Sequence, residues 1–308
     1  MQCFILGTGG MMPMPQRPLT SVVVRPSSTM VQLDCGEGVQ VGLKELRLGI
    51  KQLRVVAITH LHADHCLGLP GVLMFRAQCD EPGPLTITGP AGIAQFVRHV
   101  VSDLSCYLGY PLDIREWRPG SDLVAYEDDE IALRWEPLTH GVTCLGYRLD
   151  EHQRPGKFDP DRAVAAGVPV GPLWGRLQGG EDVTLDGGRV IRPDQVLGPP
   201  RRGRSVAFCT DTAPCAAIGE LCRGVDVAFV ESMFLPEHED EGRRKLHLTV
   251  TQAAHATREA GALRTELVHI SPRYGPADIK QMNALACSIN PSARIARPLS
   301  VIDVPLPD

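Results

Sequence analysis

Short apolar runs alternate with segments of helical periodicity along most of the chain. The runs CFIL (3–6), SVVV (21–24) and RVVAIT (54–59) predict buried strands, whereas the apolar spacing of GVQVGLKELRLGI (38–50) predicts a helix. Further strands are predicted near 30–36, 84–89, 112–117, 123–125, 131–138, 144–149, 205–210, 226–232, 266–271 and 299–304, and further helices near 91–104, 249–260 and 276–286. This mixture predicts an α/β fold in which helices cover sheets.

The interval 151–204 lacks this periodicity, because glycine and proline recur through it. It carries nine basic and seven acidic residues, so it is locally basic within a chain of net charge −5. This composition predicts an insertion into a core formed by residues 1–150 and 205–308. A solvated surface loop without a binding role is the alternative. A second polar segment, EHEDEGRRK (237–245), is predicted to be a mobile solvated loop.

Composition narrows the class of protein. A chain of 308 residues with 43% apolar residues can bury a substantial core. It has no run of eighteen apolar residues and no signal peptide in MQCFILGTGG, so we expect a cytoplasmic protein without a membrane partner. The ten cysteines form no C-x-x-C pair, which predicts reduced core thiols. Because the chain is acidic overall, a polyanionic partner requires a local basic patch or bound metal.

The densest polar motif is HLHADH (60–65), which directly follows a buried strand. A loop leaving a strand end can turn the side chains of His60, His62, Asp64 and His65 into one space, and imidazole and carboxylate groups are ligands that suit zinc. Surface histidines on an ordinary turn are the alternative. Four ligands in one loop crowd a single tetrahedral ion that must keep an open catalytic position. The motif therefore favours two ions, with more ligands from elsewhere.

Three other polar residues stand at comparable places along the chain. His140 follows the strand WEPLT, Asp211 follows SVAFCT, and His269 lies within ELVHIS. Each alone is more often an ordinary polar residue near a strand end, but together they complete two sets of ligands. The glycine run GTGG (7–10) lacks the spacing of a nucleotide-binding loop, so we predict a tight turn beside this site.

These motifs resemble those of a known family. HLHADH, LDCGEG (33–38), THG (139–141), TDT (210–212) and HISPRY (269–274) resemble the metallo-β-lactamase superfamily and, within it, the ribonuclease Z family. The resemblance covers nearly the whole chain and includes residues 155–191, which resemble the protruding flexible arm, or exosite, of that family. It implies a four-layer αβ/βα sandwich with an inserted arm at 151–204 that binds precursor tRNA, and a homodimer.

The resemblance also implies a pair of zinc ions in each subunit. The family pattern assigns His60, His62 and His140 to one ion and Asp64, His65 and His269 to the other, with Asp211 bridging both. The charge of two such ions exceeds that of the two carboxylates and a hydroxide, so the site can hold a phosphodiester. An acidic protein is thereby compatible with an anionic substrate.

The implied reaction is endonucleolytic removal of the 3′ trailer of precursor tRNA by a metal hydroxide, leaving a 3′-hydroxyl on the tRNA. Asp64 is expected to orient the attacking water and accept its proton. His247, paired with Glu231, is expected to protonate the leaving ribose oxygen. The alternative for this pair is local capping by Glu231 and a His247 that merely begins a helix.

Two loops depart from the family pattern. VESMF (230–234) keeps only Glu231 of a His-Glu-Ala-Thr loop, and MPMPQRPLTS (12–21) has Pro15 and Pro18 where the family has Lys and Asn. Arg17 in the second loop is retained, and either a substrate contact or a solvated arginine fits it.

These departures leave several functional points open at the level of sequence. They are the preferred set of tRNAs, discrimination against the CCA terminus, the balance between endonuclease and exonuclease activity, and the physiological metal. One alternative function is a dinuclear-metal phosphodiesterase or 3′ exoribonuclease of the same fold. Another is a catalytically inactive RNA-binding protein.

Overall fold

The computed structural model describes residues 1–307. Within this range the strands are β1 (Gln2–Gly7), β2 (Ser21–Arg25), β3 (Met30–Leu33), β4 (Leu53–Ala57), β5 (Leu85–Pro90), β6 (Leu112–Trp117), β7 (Val124–Glu127), β8 (Ile131–Leu138), β9 (Cys144–Glu151), β10 (Val183–Thr184), β11 (Val190–Ile191), β12 (Ser205–Cys209), β13 (Val227–Glu231), β14 (Thr265–Val268), β15 (Ala293–Ile295) and β16 (Ser300–Asp303). The α-helices are α1 (Val39–Glu45), α2 (Ala63–Cys66), α3 (Leu69–Arg76), α4 (Ile93–Asp103), α5 (Pro160–Ala165), α6 (Pro172–Gln178), α7 (Ala216–Cys222), α8 (Glu239–Lys245), α9 (Val250–Glu259) and α10 (Pro276–Ile289). Short 3₁₀ turns occupy Ile50–Gln52, Pro193–Gln195 and Pro236–His238.

Two seven-stranded mixed sheets form the centre of the fold. Their strand orders are β16-β1-β2-β3-β4-β5-β6 and β15-β14-β13-β12-β9-β8-β7. In the first sheet β3 to β6 are parallel, and in the second β12 to β15 are parallel. The carboxyl ends of parallel strands meet at one edge of a sheet, which is where loops from several strands can bring polar residues together.

Three apolar clusters hold the layers together. Side chains such as Val22, Val55, Leu133 and Phe208 come from both sheets and pack in one cluster between them. The outer face of the first sheet packs against α1, α3 and α4, and the outer face of the second packs against α7, α9 and α10. The layers therefore run helix, sheet, sheet, helix, and the predicted α/β four-layer sandwich is confirmed. Within residues 1–307 no helix has the length and apolarity needed to span a bilayer.

The insertion is more ordered than its sequence suggested. Residues Glu151–Gly203 belong to one compact unit, and Met1–Asp150 with Arg204–Pro305 form the other. The insertion contains α5, α6 and the hairpin β10–β11, which pack around a small core. That core comprises Ala163, Val168, Leu177, Val183, Ile191 and Val196. The insertion lacks long periodicity because its helices and strands are short. The role of 151–204 as a tRNA-binding arm stays a prediction.

Two predicted segments were wrong in detail. The helix predicted over 38–50 ends at Glu45, because Arg47 takes a positive φ of 53° and breaks the helical backbone. The predicted mobile loop 237–245 contains helix α8. Its first turn is acidic and its last turn is basic, which complements the helix dipole and stabilises a helix that has little apolar periodicity.

Arg76 is a buried cation held by backbone carbonyls, and it supplies a stability prediction. Its guanidinium donates hydrogen bonds to the carbonyls of Leu53, Pro82, Gly83 and Pro84. Arg76→Met leaves these acceptors without a donor inside the protein, so we expect a loss of about 2–4 kcal/mol in the free energy of unfolding. Urea unfolding measures this loss. The exposed Arg98→Met on α4 is the control, and equal midpoints for both variants would refute the expectation.

Candidate metal centre

The predicted metal ligands all stand just beyond the carboxyl ends of strands. His60 and His62 follow β4, and α2 directly after them carries Asp64 and His65. His140 follows β8, Asp211 follows β12, and His269 follows β14, one residue past the strand rather than within it. HLHADH is thus a strand-to-helix connection, and loops of both sheets meet at one place.

The backbone at this place is locally constrained. Asp211 and His269 have positive φ angles of 32° and 58°, which are unusual for residues other than glycine. Such conformations persist where the surrounding structure fixes them, and they are common at functional sites. Gly10 of the GTGG turn lies against this centre, because a Cβ atom there would be 2.7 Å from Cε1 of His269. The turn can hold only glycine at this position.

The structure brings all seven predicted ligands together in two neighbouring sets. One set is His60, His62, His140 and Asp211, and the other is Asp64, His65 and His269, with the ligand atoms of each set within 4.8 Å of one another. Nε2 of His60 lies 3.0 Å from Nδ1 of His62, and Nε2 of His65 lies 3.1 Å from Nε2 of His269.

Asp211 faces both sets. Its Oδ1 lies 3.2 Å from Nε2 of His65 and 3.1 Å from Nε2 of His269. Its Oδ2 lies 3.6 Å from Nε2 of His60 and 3.9 Å from Nε2 of His140. One carboxylate is therefore directed at two neighbouring groups of imidazoles, as a bridging ligand requires.

The chemistry of these donors fits divalent metal ions. Nε2 of His140 and Oδ1 of Asp211 are buried and form no geometrically acceptable hydrogen bond. Buried polar atoms in proteins nearly always have a partner, and each of these two atoms faces one of the donor sets, which fits coordination of a cation. Imidazole nitrogens with carboxylate oxygens are the donor set of zinc and related ions. The residues present can thus hold divalent metal.

The ionisation of His60 and His140 favours metal binding. Burial lowers the pKa of His60 and of His140, so both rings remain neutral and keep a lone pair for a metal. Burial alone would raise the pKa of Asp211, but the nearby His269 and His65 outweigh it and hold that pKa well below its usual range. Burial alone would raise the pKa of Asp64, but the hydrogen bond from His269 and the charges of His65 and His269 together lower it.

Asp34 contacts the predicted ligands, although the sequence analysis did not name it. It follows β3 with a φ of 57°, and its side chain is fully buried. Its Oδ2 accepts hydrogen bonds from Nδ1 of His65 at 2.6 Å and from Oγ1 of Thr59 at 2.9 Å, and Oγ1 of Thr59 lies 3.0 Å from Nδ1 of His60. Asp34 therefore orients two of the predicted ligands. The available signal was an acidic residue directly after a buried strand, in LDCGEG.

Glu231 and His247 form the pair that the sequence predicted. Nδ1 of His247 lies 3.0 Å from Oε1 of Glu231, and Nε2 of His247 lies 4.0 Å from Oδ2 of Asp211. Glu231 is fully buried and also accepts a hydrogen bond from the backbone nitrogen of Thr212 at 2.6 Å. Burial alone lowers the pKa of His247, but the Glu231 carboxylate outweighs it and raises that pKa to about 9. Thr249 caps α9 and fixes the backbone two residues after His247.

A cavity of about 400 Å³ opens onto these groups. It is lined by five of the seven predicted ligands, by His247, and by Met11, Met233, Phe234 and Lys245. His60 and His65 are buried behind it. The cavity therefore gives a substrate access to the metal centre and to the Glu231–His247 pair at once.

Arg17 does not reach this cavity. Its guanidinium donates to the carbonyl oxygens of Ser271 at 2.9 Å and Tyr274 at 2.5 Å, and burial lowers its pKa. The side chain joins the loop 12–21 to the loop after β14. The structure gives Arg17 a third role beside the two interpretations, because two of its donors bind backbone carbonyls and it does not line the cavity.

Comparison with known proteins shows the family. Residues 1–95 match the family profile described as "Anti-Pycsar protein Apyc1", and residues 196–270 match that of a beta-lactamase superfamily domain. Ribonuclease Z of Treponema denticola is 40% identical over 298 residues, which cover 96% of this chain and 96% of that protein. The chain belongs to the ribonuclease Z family. Ribonuclease Z of Salinibacter ruber is 39% identical over 96% of this chain and 91% of its own length.

Solved structures show the same fold for this ribonuclease Z family member. The short form of human tRNase Z superposes with a TM-score of 0.71 and 21% identity, over 99% of this chain and all of that one (100%). The resemblance drawn from HLHADH and its companion motifs is therefore confirmed at the level of family and fold. The assignment of individual residues to two metal ions stays a prediction.

Proposed function

We propose that this ribonuclease Z family member is an endoribonuclease that removes the 3′ trailer of precursor tRNA and leaves a 3′-hydroxyl on the tRNA. The observation that carries the proposal is the convergence of seven histidine and aspartate side chains in two neighbouring donor sets, in a chain with about 40% identity to proteins named ribonuclease Z. Two zinc ions, one at each set and with Asp211 as the ligand between them, are part of the proposal.

The residues of the chain divide the reaction between them. Bound divalent ions supply Lewis acidity and lower the pKa of water to near 7, which makes a nucleophile available at neutral pH. Oδ2 of Asp64 accepts a hydrogen bond from the backbone nitrogen of Met11 at 2.6 Å and lines the cavity. The low pKa of Asp64 keeps its carboxylate ionised, so it can accept a hydrogen bond from the attacking water and orient it.

His247 acts on the leaving group, whereas Asp64 acts on the attacking water. A ribose 3′-oxygen is a poor leaving group unless it is protonated as its bond to phosphorus breaks. His247 lines the cavity, and Glu231 holds its ring through Nδ1 and leaves Nε2 directed at the metal centre. The raised pKa keeps the proton donor charged at neutral pH. His247 therefore donates the proton, and Glu231 positions and charges it.

Substrate recognition is assigned to the insertion. Precursor tRNA is recognised mostly through shape and phosphate contacts, for which the locally basic unit Glu151–Gly203 is suited. A homodimer and a cytoplasmic location complete the proposal, and size-exclusion chromatography with light scattering tests the dimer.

Removal of the arm tests the proposed substrate. Arg154 and Arg201 exchange two backbone hydrogen bonds of 2.9 Å, so residues 155–200 can be replaced by a short Asn-Gly turn that joins an existing strand-like pair. We expect kcat/KM for precursor tRNA to fall about 100-fold, because several phosphate contacts are lost. Hydrolysis of bis(p-nitrophenyl) phosphate should change less than about threefold, because that substrate needs only the metal centre.

The control is Arg189→Ala with Arg192→Ala, which removes two exposed charges and keeps the core of the arm. It should give a smaller loss, and the loss should shrink as the salt concentration rises, because phosphate contacts are weaker at high salt. Equal loss on both substrates after arm removal would contradict a recognition role. An intact protein that hydrolyses the small diester and leaves precursor tRNA uncut would favour a different phosphodiesterase. Binding of precursor tRNA without any hydrolysis would favour an inactive RNA-binding protein.

A further inference from the structure

The cavity over the metal centre contains a single side chain with a permanent positive charge. Among the residues that line it, Lys245 is the one lysine or arginine. The loop 12–21 offers no second cation, because its only basic residue is Arg17, whose guanidinium is bound to the carbonyls of Ser271 and Tyr274. A phosphate that enters the cavity therefore meets one lysine or arginine, besides the protonated His247 and any bound metal.

The structure holds Lys245 at the edge of this cavity. It is the last residue of α8, and Leu246 after it has a φ of 59°, which ends the helix and turns the chain to His247. Nζ of Lys245 lies 2.8 Å from Oε1 of Glu241, one helical turn earlier. The side chain of Lys245 remains 43% exposed, so the ion pair leaves the ammonium accessible. An ammonium has three donors, and a single carboxylate oxygen uses one of them.

Glu241 is shared with a second cation. Nη1 and Nη2 of Arg273 donate to its two oxygens at 2.7 Å each, and the Arg273 guanidinium stacks 5.1 Å from the ring centre of Phe234, which lines the same cavity. These hydrogen bonds from Arg273 and Lys245 lower the pKa of Glu241 to about 2. The bidentate contact with Arg273 gives each oxygen of the Glu241 carboxylate a hydrogen-bond donor. The group of three residues therefore carries a net positive charge at neutral pH, directed by Lys245 at the cavity.

We propose that Lys245 binds a non-bridging oxygen of the substrate phosphodiester in the cavity, and that Glu241 and Arg273 position it. The inference rests on the proposed function for the identity of the substrate as RNA. A lysine suits this task because it binds phosphate as a point charge and tolerates the change in geometry during hydrolysis. The competing explanation is an ordinary ion pair one turn apart, which stabilises α8 and does not touch substrate.

Substitution of Lys245 separates these explanations. We expect Lys245→Ala to raise KM for bis(p-nitrophenyl) phosphate and for precursor tRNA about tenfold, with kcat and metal content changing less than about threefold. Lys245→Arg should restore KM to within about threefold, because it restores the charge. The slope of log KM for precursor tRNA against log salt should fall by about 0.7–0.9 in Lys245→Ala, the loss expected for one phosphate contact.

The matched control is Arg243→Ala on the same helix. Arg243 also pairs with an acidic residue one turn earlier, Glu239, but its side chain is 74% exposed and lies outside the cavity lining. If Lys245→Ala and Arg243→Ala have the same KM on both substrates, Lys245 only stabilises α8 and the inference is overturned. If the unmodified protein hydrolyses the small diester but not precursor tRNA, the proposed function fails. A raised KM for the diester in Lys245→Ala then still supports the phosphate contact.

Discussion

Asp211→Ala should release the divalent ions from the protein and lower phosphodiester hydrolysis by about 10⁴-fold, equivalent to about 5.5 kcal/mol of transition-state stabilisation. The reason is the position of this carboxylate between the two donor sets. Oδ1 lies within 3.2 Å of the Nε2 atoms of His65 and His269, and Oδ2 lies 3.6 Å from Nε2 of His60. Without Asp211 the two groups of imidazoles lose the one donor directed at both. The buried metal ions then have too little negative charge beside them to remain bound.

Elemental analysis of the variant after gel filtration in metal-free buffer measures the bound ions, and diester hydrolysis measures the rate. Asp113→Ala is the control, because Asp113 is half exposed and pairs only with Arg115 among the described cations. It should leave both metal content and rate unchanged. Asp211→Asn should lose metal almost as fully, since the amide keeps the shape and removes the charge. Retention of both ions by Asp211→Ala would show that the donor sets are not bridged as proposed.

The convergence of the seven side chains could be predicted because it depends on two features that a sequence carries. One is the local density of histidine and aspartate in HLHADH, and the other is the position of single polar residues directly after buried strands. In a parallel sheet, polar residues that directly follow the strands come close together, because the carboxyl ends of the strands lie at one edge. The family resemblance supplied the pairing of His140, Asp211 and His269 with the motif.

The parts that were missed depend on contacts between distant segments. Asp34 accepts a hydrogen bond from His65, which lies 31 residues further along the chain. Arg17 donates to carbonyls more than 250 residues further along the chain. Helix α8 has mostly charged residues, so its sequence gave no apolar period. It is stabilised by charges that match its dipole and by the ion pair of Glu241 with Arg273, 32 residues away. The partners in these long-range contacts cannot be identified from one short window of sequence.

His247→Ala should reduce kcat for precursor tRNA by about 10³-fold, the usual contribution of a general acid, and leave metal content unchanged. The reason is that a ribose oxygen leaves as a strong base unless it receives a proton. The small diester provides an internal control, because p-nitrophenolate is stable without protonation. We therefore expect His247→Ala to change hydrolysis of bis(p-nitrophenyl) phosphate less than about tenfold. Equal slowing of both substrates, or loss of metal, would assign His247 to another role.

Glu231→Gln tests proton donation by His247 through the pH dependence of kcat. Burial alone favours neutral His247, and the Glu231 carboxylate raises its pKa to about 9, so the acid form is present below that pH and is lost above it. Without the carboxylate the pKa of His247 falls, and the alkaline limb of kcat for precursor tRNA should move to lower pH. The same limb for the small diester should not move, because that leaving group needs no proton. A shift shared by both substrates would place the titrating group in the activation of water rather than in departure of the ribose oxygen.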